Sequence, residues 1–117
     1  MFADDLADLS RRFIDCFRRG DAVAAAAFYA PEAELHLSSS RILRGRAEIT
    51  AHFAADIAEV QAAGIAFPDL ETLWHSAETD LACVMQRMKG GSTTYMLCLR
   101  RDPAEGWLVL REGSLAQ

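Results

Sequence analysis

The sequence predicts an α+β domain in which helices cover one face of a curved antiparallel sheet. Helical periodicity dominates the first half and is broken by a single short strand. The second half alternates polar and apolar residues between turn signals. The element order, two helices, a strand, a third helix and then about four consecutive strands, lets neighbouring strands pair locally while the helices form a second layer. With 117 residues the chain fits one domain, spanning 1–117, with enough length to bury a sizeable core.

Between Asp4 and Arg19, Leu6, Leu9, Phe13, Cys16 and Phe17 recur at steps of three and four, which places them on one face of an amphipathic helix. Gly20 ends that helix, and Asp21 supplies the side-chain acceptor that opens a second, alanine-rich helix running to Pro31. Ala33, Leu35 and Leu37 then alternate with Glu34, His36 and Ser38, the period of a half-buried strand. After a polar loop, Ile49, Phe53, Ile57 and Val60 form the apolar stripe of a third helix that starts after Gly45 and ends near Gly64, with His52 beside the stripe. The rest is strand-rich and is broken at "AETD", "KGGS" and "RDPAEG".

The "KGGS" hairpin signal fixes a register, because Gly90 and Gly91 both tolerate positive φ. Gln86 then faces Tyr95, Val84 faces Leu97 and Ala82 faces Leu99 on one side of the sheet. Cys83 faces Cys98 and Met85 faces Met96 on the other. Both sides are largely apolar, whereas a sheet covered by helices on one side alone should be polar on its outer face. A second copy of the chain, packed as a homodimer over Cys83, Met85, Met96 and Cys98, is the simplest cover. The last strand offers the inner face either Trp107, Val109 and Arg111 or Leu108, Leu110 and Glu112, and its irregular preceding turn leaves both open.

Composition excludes several function classes. Seventeen acids against twelve bases give a net charge of -5, with the arginines scattered, which disfavours a nucleic-acid partner. The amino terminus lacks the basic and apolar runs of a signal peptide, and no apolar stretch nears the ~20 residues that cross a bilayer, so a soluble cytoplasmic protein is expected. Three cysteines and three histidines are dispersed without metal-ligand spacing, so neither a metal nor a structural disulfide is expected. No phosphate-binding glycine loop or nucleophile elbow is present, and no cofactor is anticipated.

"FIDCFRRGDAVAAAAFYAPEAELHL", "LRGRAEITAHF" and "EGWLVLREGS" together resemble the SnoaL-like branch of the NTF2-like superfamily, which includes ketosteroid isomerases. The resemblance implies a cystatin-like cone: three N-terminal helices against a strongly curved antiparallel sheet, a pocket between them, and dimers packed through the sheet's outer side. It also implies that Trp107, Val109 and Arg111 of the last strand face the pocket. The isomerase residues do not carry over. The positions of the Asp base, the Tyr and the protonated Asp fall on Leu37, on Phe13 and near Leu97, so hydrocarbon stands where that chemistry needs polar groups.

The expected function is therefore binding of a small, mostly apolar molecule with one or two oxygens. The candidate pocket residues are Phe13, Leu37, Phe53, Gln86, Tyr95, Leu97, Trp107 and Arg111. His52 is the candidate acid or base for isomerisation, cyclisation or dehydration, although no carboxylate orienter is evident beside it. Arg111 would offer a cation to a carboxylate or enolate, or else pair with an acid elsewhere. Gln86 and Tyr95 would orient a ligand oxygen or satisfy each other. His36 points away from the pocket-facing leucines, and His75 lies exposed near a strand end. The alternative is a non-catalytic interaction module whose cavity is filled by its own side chains.

Overall fold

The computed structural model describes residues 1–115. Helix α1, Phe2–Arg19, buries Leu6, Ser10, Ile14, Cys16 and Phe17. It ends at Gly20, whose φ of 75° is left-handed, and the Asp21 N–H then bonds the Cys16 carbonyl at 2.9 Å. Asp21 caps α2, Ala22–Ala26, by accepting the Ala24 N–H at 3.0 Å. Two adjacent residues thus stop one helix and start the next, which turns α2 back toward the sheet.

Helix α2 is shorter than the sequence suggests, because β1 already begins at Tyr29 and runs Tyr29–His36. Tyr29 and Ala30 are almost wholly buried, and the Val109 N–H bonds the Phe28 carbonyl, so burial in the sheet overrides alanine's helix propensity. Pro31 lies inside the strand. It is tolerated where the pairing is irregular between Tyr29 and Glu34. The loop after His36 contains a further short strand, β2, Ile42–Arg44, which pairs with Glu34–His36 and was not legible as a strand. Helix α3, Gly45–Ala62, buries the expected stripe Ile49, Phe53 and Ile57.

Four strands follow: β3 Leu70–Ala77, β4 Leu81–Met88, β5 Tyr95–Asp102 and β6 Gly106–Ser114. The sheet order is β2-β1-β6-β5-β4-β3. The pairs Ala82/Leu99, Cys83/Cys98, Val84/Leu97, Met85/Met96 and Gln86/Tyr95 form in the register the hairpin dictates. The sheet is not wholly antiparallel, because β1 and β6 run parallel at its centre. A parallel pair needs a long crossover, and the whole segment from β2 to β5 provides it.

Strand β6 carries a bulge that decides the site. Val109 pairs with Leu99 and Arg111 pairs with Cys98, so Leu110 is an extra residue. Beyond it, Glu112 pairs with Leu97, on the same face as Val109. Neither regular register of the last strand is correct, because the bulge changes the inward set partway along. Val84, Leu99, Val109 and Leu35 face the helices and form the core with Ile49, Phe53 and Phe17.

Candidate functional site

A cavity of about 180 Å³ lies between the concave face of the sheet, α1 and α3. Helix α1 gives it Leu9, Phe13 and Phe17, while α3 gives it His52, Phe53 and Asp56. The sheet supplies Leu35, Gln86, Tyr95, Leu97 and Glu112. Phe13 stands at the centre of an aromatic wall, with ring centroids 5.0 Å from Phe17, 5.7 Å from Phe28, 5.8 Å from Phe53 and 6.1 Å from Tyr29. Each such contact adds roughly 0.5–1.5 kcal/mol beyond area burial, so the wall is held in place by its own packing.

Of the residues singled out from the sequence, Phe13, Leu37, His52, Phe53, Gln86, Tyr95 and Leu97 line this cavity. Trp107 and Arg111 do not. Trp107 lies before the bulge, where it stacks edge-on with Phe2 at 5.1 Å and borders a separate surface depression. Arg111 is exposed on the convex side, where its Nε comes within 3.5 Å of Glu34. The bulge turns it outward, and the ion pair with an acid elsewhere is what it makes. His36 also points outward, with Nε2 3.1 Å from Glu34 Oε1, and His75 is exposed.

The polar groups of the cavity fall into three sets. Gln86 Nε2 donates to Ser10 Oγ at 2.8 Å and to Thr72 Oγ1 at 3.3 Å, so its amide is held by helix and strand and not by Tyr95. His52 Nε2 lies 3.3 Å from Asp56 Oδ2, one helical turn away. The i,i+4 spacing was visible in the sequence and supplies the carboxylate partner that His52 had lacked there. The Tyr29 hydroxyl donates to Glu112 Oε1 at 2.6 Å.

Glu112 is the residue that sequence reasoning set aside. It is half-buried, with part of its surface meeting the cavity. Burial pushes its carboxyl up to about 7, against which the Tyr29 hydrogen bond pulls weakly. Tyr29 is held well above its ordinary value by burial and then by the charge of Glu112. Burial also raises Tyr95, helped by the charges of Glu112 and Asp56. A carboxyl near neutrality can either donate or accept a proton. Among the described residues no cluster of three or more His, Cys, Asp or Glu is arranged to hold a metal ion. The three cysteines are free thiols. No helix of the described residues is long and apolar enough to cross a membrane.

Helices on a bent sheet around an acid-bearing apolar cavity define a cystatin-like α+β cone. The chain belongs to the SnoaL-like domain family, which matches residues 10–111. It is similar in structure to an NTF2-like protein with a cystatin-like fold from Novosphingobium aromaticivorans, at a TM-score of 0.76 and 24% identity over 96% of this chain and 79% of that one. A ketosteroid isomerase-like protein from Erwinia carotovora atroseptica matches at a TM-score of 0.63 and 16% identity, covering 94% and 90% of the two chains. A candidate dehydratase of the NTF2-like family from Streptomyces avermitilis matches at 0.63 and 15% identity, again over 94% and 90%. These likenesses establish the fold. No curated protein matches the chain.

Proposed function

We propose that the protein binds a small, mostly apolar molecule in this cavity and acts on it by proton transfer, in an isomerisation, cyclisation or dehydration. The observation that carries the reading is the Glu112 carboxyl, half-buried at the wall of a mostly apolar cavity and held by Tyr29. A charged group is costly to bury, and structural packing alone would favour a hydrocarbon at that position. A near-neutral carboxyl aimed at a void is instead suited to giving and taking a proton. His52, backed by Asp56, is the second acid or base, and Gln86 and Tyr95 orient the ligand. Structural relatives described as ketosteroid isomerase-like and as a candidate dehydratase fit the same reaction class.

The test is mass spectrometry of small molecules retained by gently purified protein, for the wild type and for Leu97→Trp, which fills the cavity. A retained apolar molecule with one or two oxygens, absent from Leu97→Trp, supports the reading. Empty protein, together with no thermal shift across a panel of apolar ketones and alcohols, favours the interaction module instead.

The convex face suggests the assembly. Trp74, Leu81, Cys83, Met85, Met96 and Cys98 share it, and Trp74 and Leu81 are 49% and 59% exposed. We propose that a second copy of the chain covers this surface, leaving both cavities on the far side of their sheets.

A further inference from the structure

We propose that the cavity selects uncharged molecules bearing a hydrogen-bond-accepting oxygen, which docks on Glu112 Oε2, and that it rejects carboxylates and phosphates. This rests on the ligand-binding reading above and names the class of molecule that the site takes. Three features of the wall lead to it.

The first is the charge of the lining. The cavity wall contains Asp56 and Glu112 but no lysine or arginine among the described residues, since the bulge sends Arg111 to the opposite face. An anion entering would lose its hydration and meet two acids with no fixed cation to receive it. Any positive charge on His52 would already be offset by Asp56, 3.3 Å from its ring nitrogen.

The second is where the Glu112 proton sits. Oε1 accepts the Tyr29 hydroxyl proton at 2.6 Å, so the acid proton of neutral Glu112 belongs on Oε2. Oε2 makes no hydrogen bond with the described residues, and no buried polar side-chain atom among them is left unsatisfied, so Oε2 keeps some accessible surface, which we assign to the cavity that Glu112 lines. What it presents there is an O–H donor, and its complement is a carbonyl, ether or hydroxyl oxygen.

The third is the set of groups facing Glu112. Tyr29, from the start of β1, bonds it directly and Tyr95 of β5 lies within its electrostatic reach, while His52 and Asp56 of α3 share the cavity lining with it. On its own strand the neighbouring Arg111 points away. Desolvation is the dominant influence on Glu112 and holds it at about 7, so near neutrality the donor form is populated and a modest rise in pH removes it.

A single aromatic ring fills an apolar cavity of roughly 150 Å³, so 180 Å³ admits one-ring probes with a small polar substituent. Fluorine NMR titrations of the whole protein with para-fluoroacetophenone, para-fluorobenzoate and para-fluorobenzylamine compare a neutral acceptor, an anion and a cation of matched size. The ketone should bind saturably at about pH 6 and roughly tenfold or more weakly at about pH 8.5, where Glu112 has lost its proton. Benzoate should not bind at either pH. In Glu112→Gln, which keeps an N–H donor and cannot ionise, ketone binding should persist and become independent of pH.

Benzoate binding as tightly as the ketone, or benzylamine binding tightest, overturns the proposal. So does a ketone pH dependence that survives in Glu112→Gln, since it would then belong to His52 or Asp56. Failure of all three probes at both pH values defeats the ligand-binding reading itself.

Discussion

The Tyr29 hydroxyl meets Glu112 Oε1 at 2.6 Å, joining two residues 83 positions apart across the central parallel strand pair. That contact closes the seam between the N-terminal strand and the last strand, and it places the near-neutral carboxyl against the cavity. It links stability to pH in a testable way.

Glu112 is raised in the folded protein, so between its ordinary value of 4.5 and about 7 the folded chain binds a proton that the unfolded chain releases. Stability should therefore fall as pH rises through that window and level off above it. The full gap corresponds to roughly 3 kcal/mol, and about 2 is expected because part of the side chain meets the cavity. Urea unfolding at pH 5 and pH 8 checks this, and Glu112→Gln should be the more stable protein at pH 8 while losing proton-transfer activity.

Tyr29→Phe removes the hydrogen bond that favours the Glu112 carboxylate. The Glu112 titration, followed by carboxyl-carbon NMR, should move to higher pH. A midpoint that stays in place or falls would mean that the hydroxyl does not serve the carboxylate.

His52→Ala should lower turnover of a native substrate by about a hundredfold, the scale of losing one positioned acid or base. Arg111→Ala should leave it unchanged, because Arg111 lies on the convex face with Glu34. Equal losses in the two variants would contradict the placement of the site.

Gly20→Ala should cost about 1–2 kcal/mol, because φ there is 75° and an L residue is strained in that region. The added Cβ would also lie 3.2 Å from Gln61 Nε2. Denaturant midpoints of the two proteins measure the difference.

Met85→Asp places a charge at the middle of the convex apolar surface without touching the cavity. Sedimentation should show a dimer for the wild type and a monomer for the variant. Equal masses for the two would remove the proposed interface.

Local chemistry made much of the fold legible. The Gly20 and Asp21 junction, the Ile49, Phe53 and Ile57 stripe and the β4–β5 register all follow from capping, period and turn geometry, which act over a few residues. The inward side of Phe53, Gln86, Tyr95 and Leu97 follows from the same period and register, whereas the expectation of a pocket there, with Phe13 at its wall, came from the family resemblance. Asp56 was readable from its spacing to His52 but was not used. The start of β1 at Tyr29 was hidden because tertiary burial overrides helix propensity there. Glu112 was hidden because the bulge at Leu110 answers to the path of neighbouring strands, and no pattern within "WLVLREGS" reveals it.

The extra residue in β6 also bears on how relatives are compared. In a kin protein whose last strand is regular, cavity positions fall two apart, whereas here Val109 and Glu112 fall three apart. An ungapped alignment of the two would match that protein's interior residue to Arg111. One missing gap thus exchanges a proton donor for a permanent cation, and any mechanism transferred column by column would inherit the wrong charge.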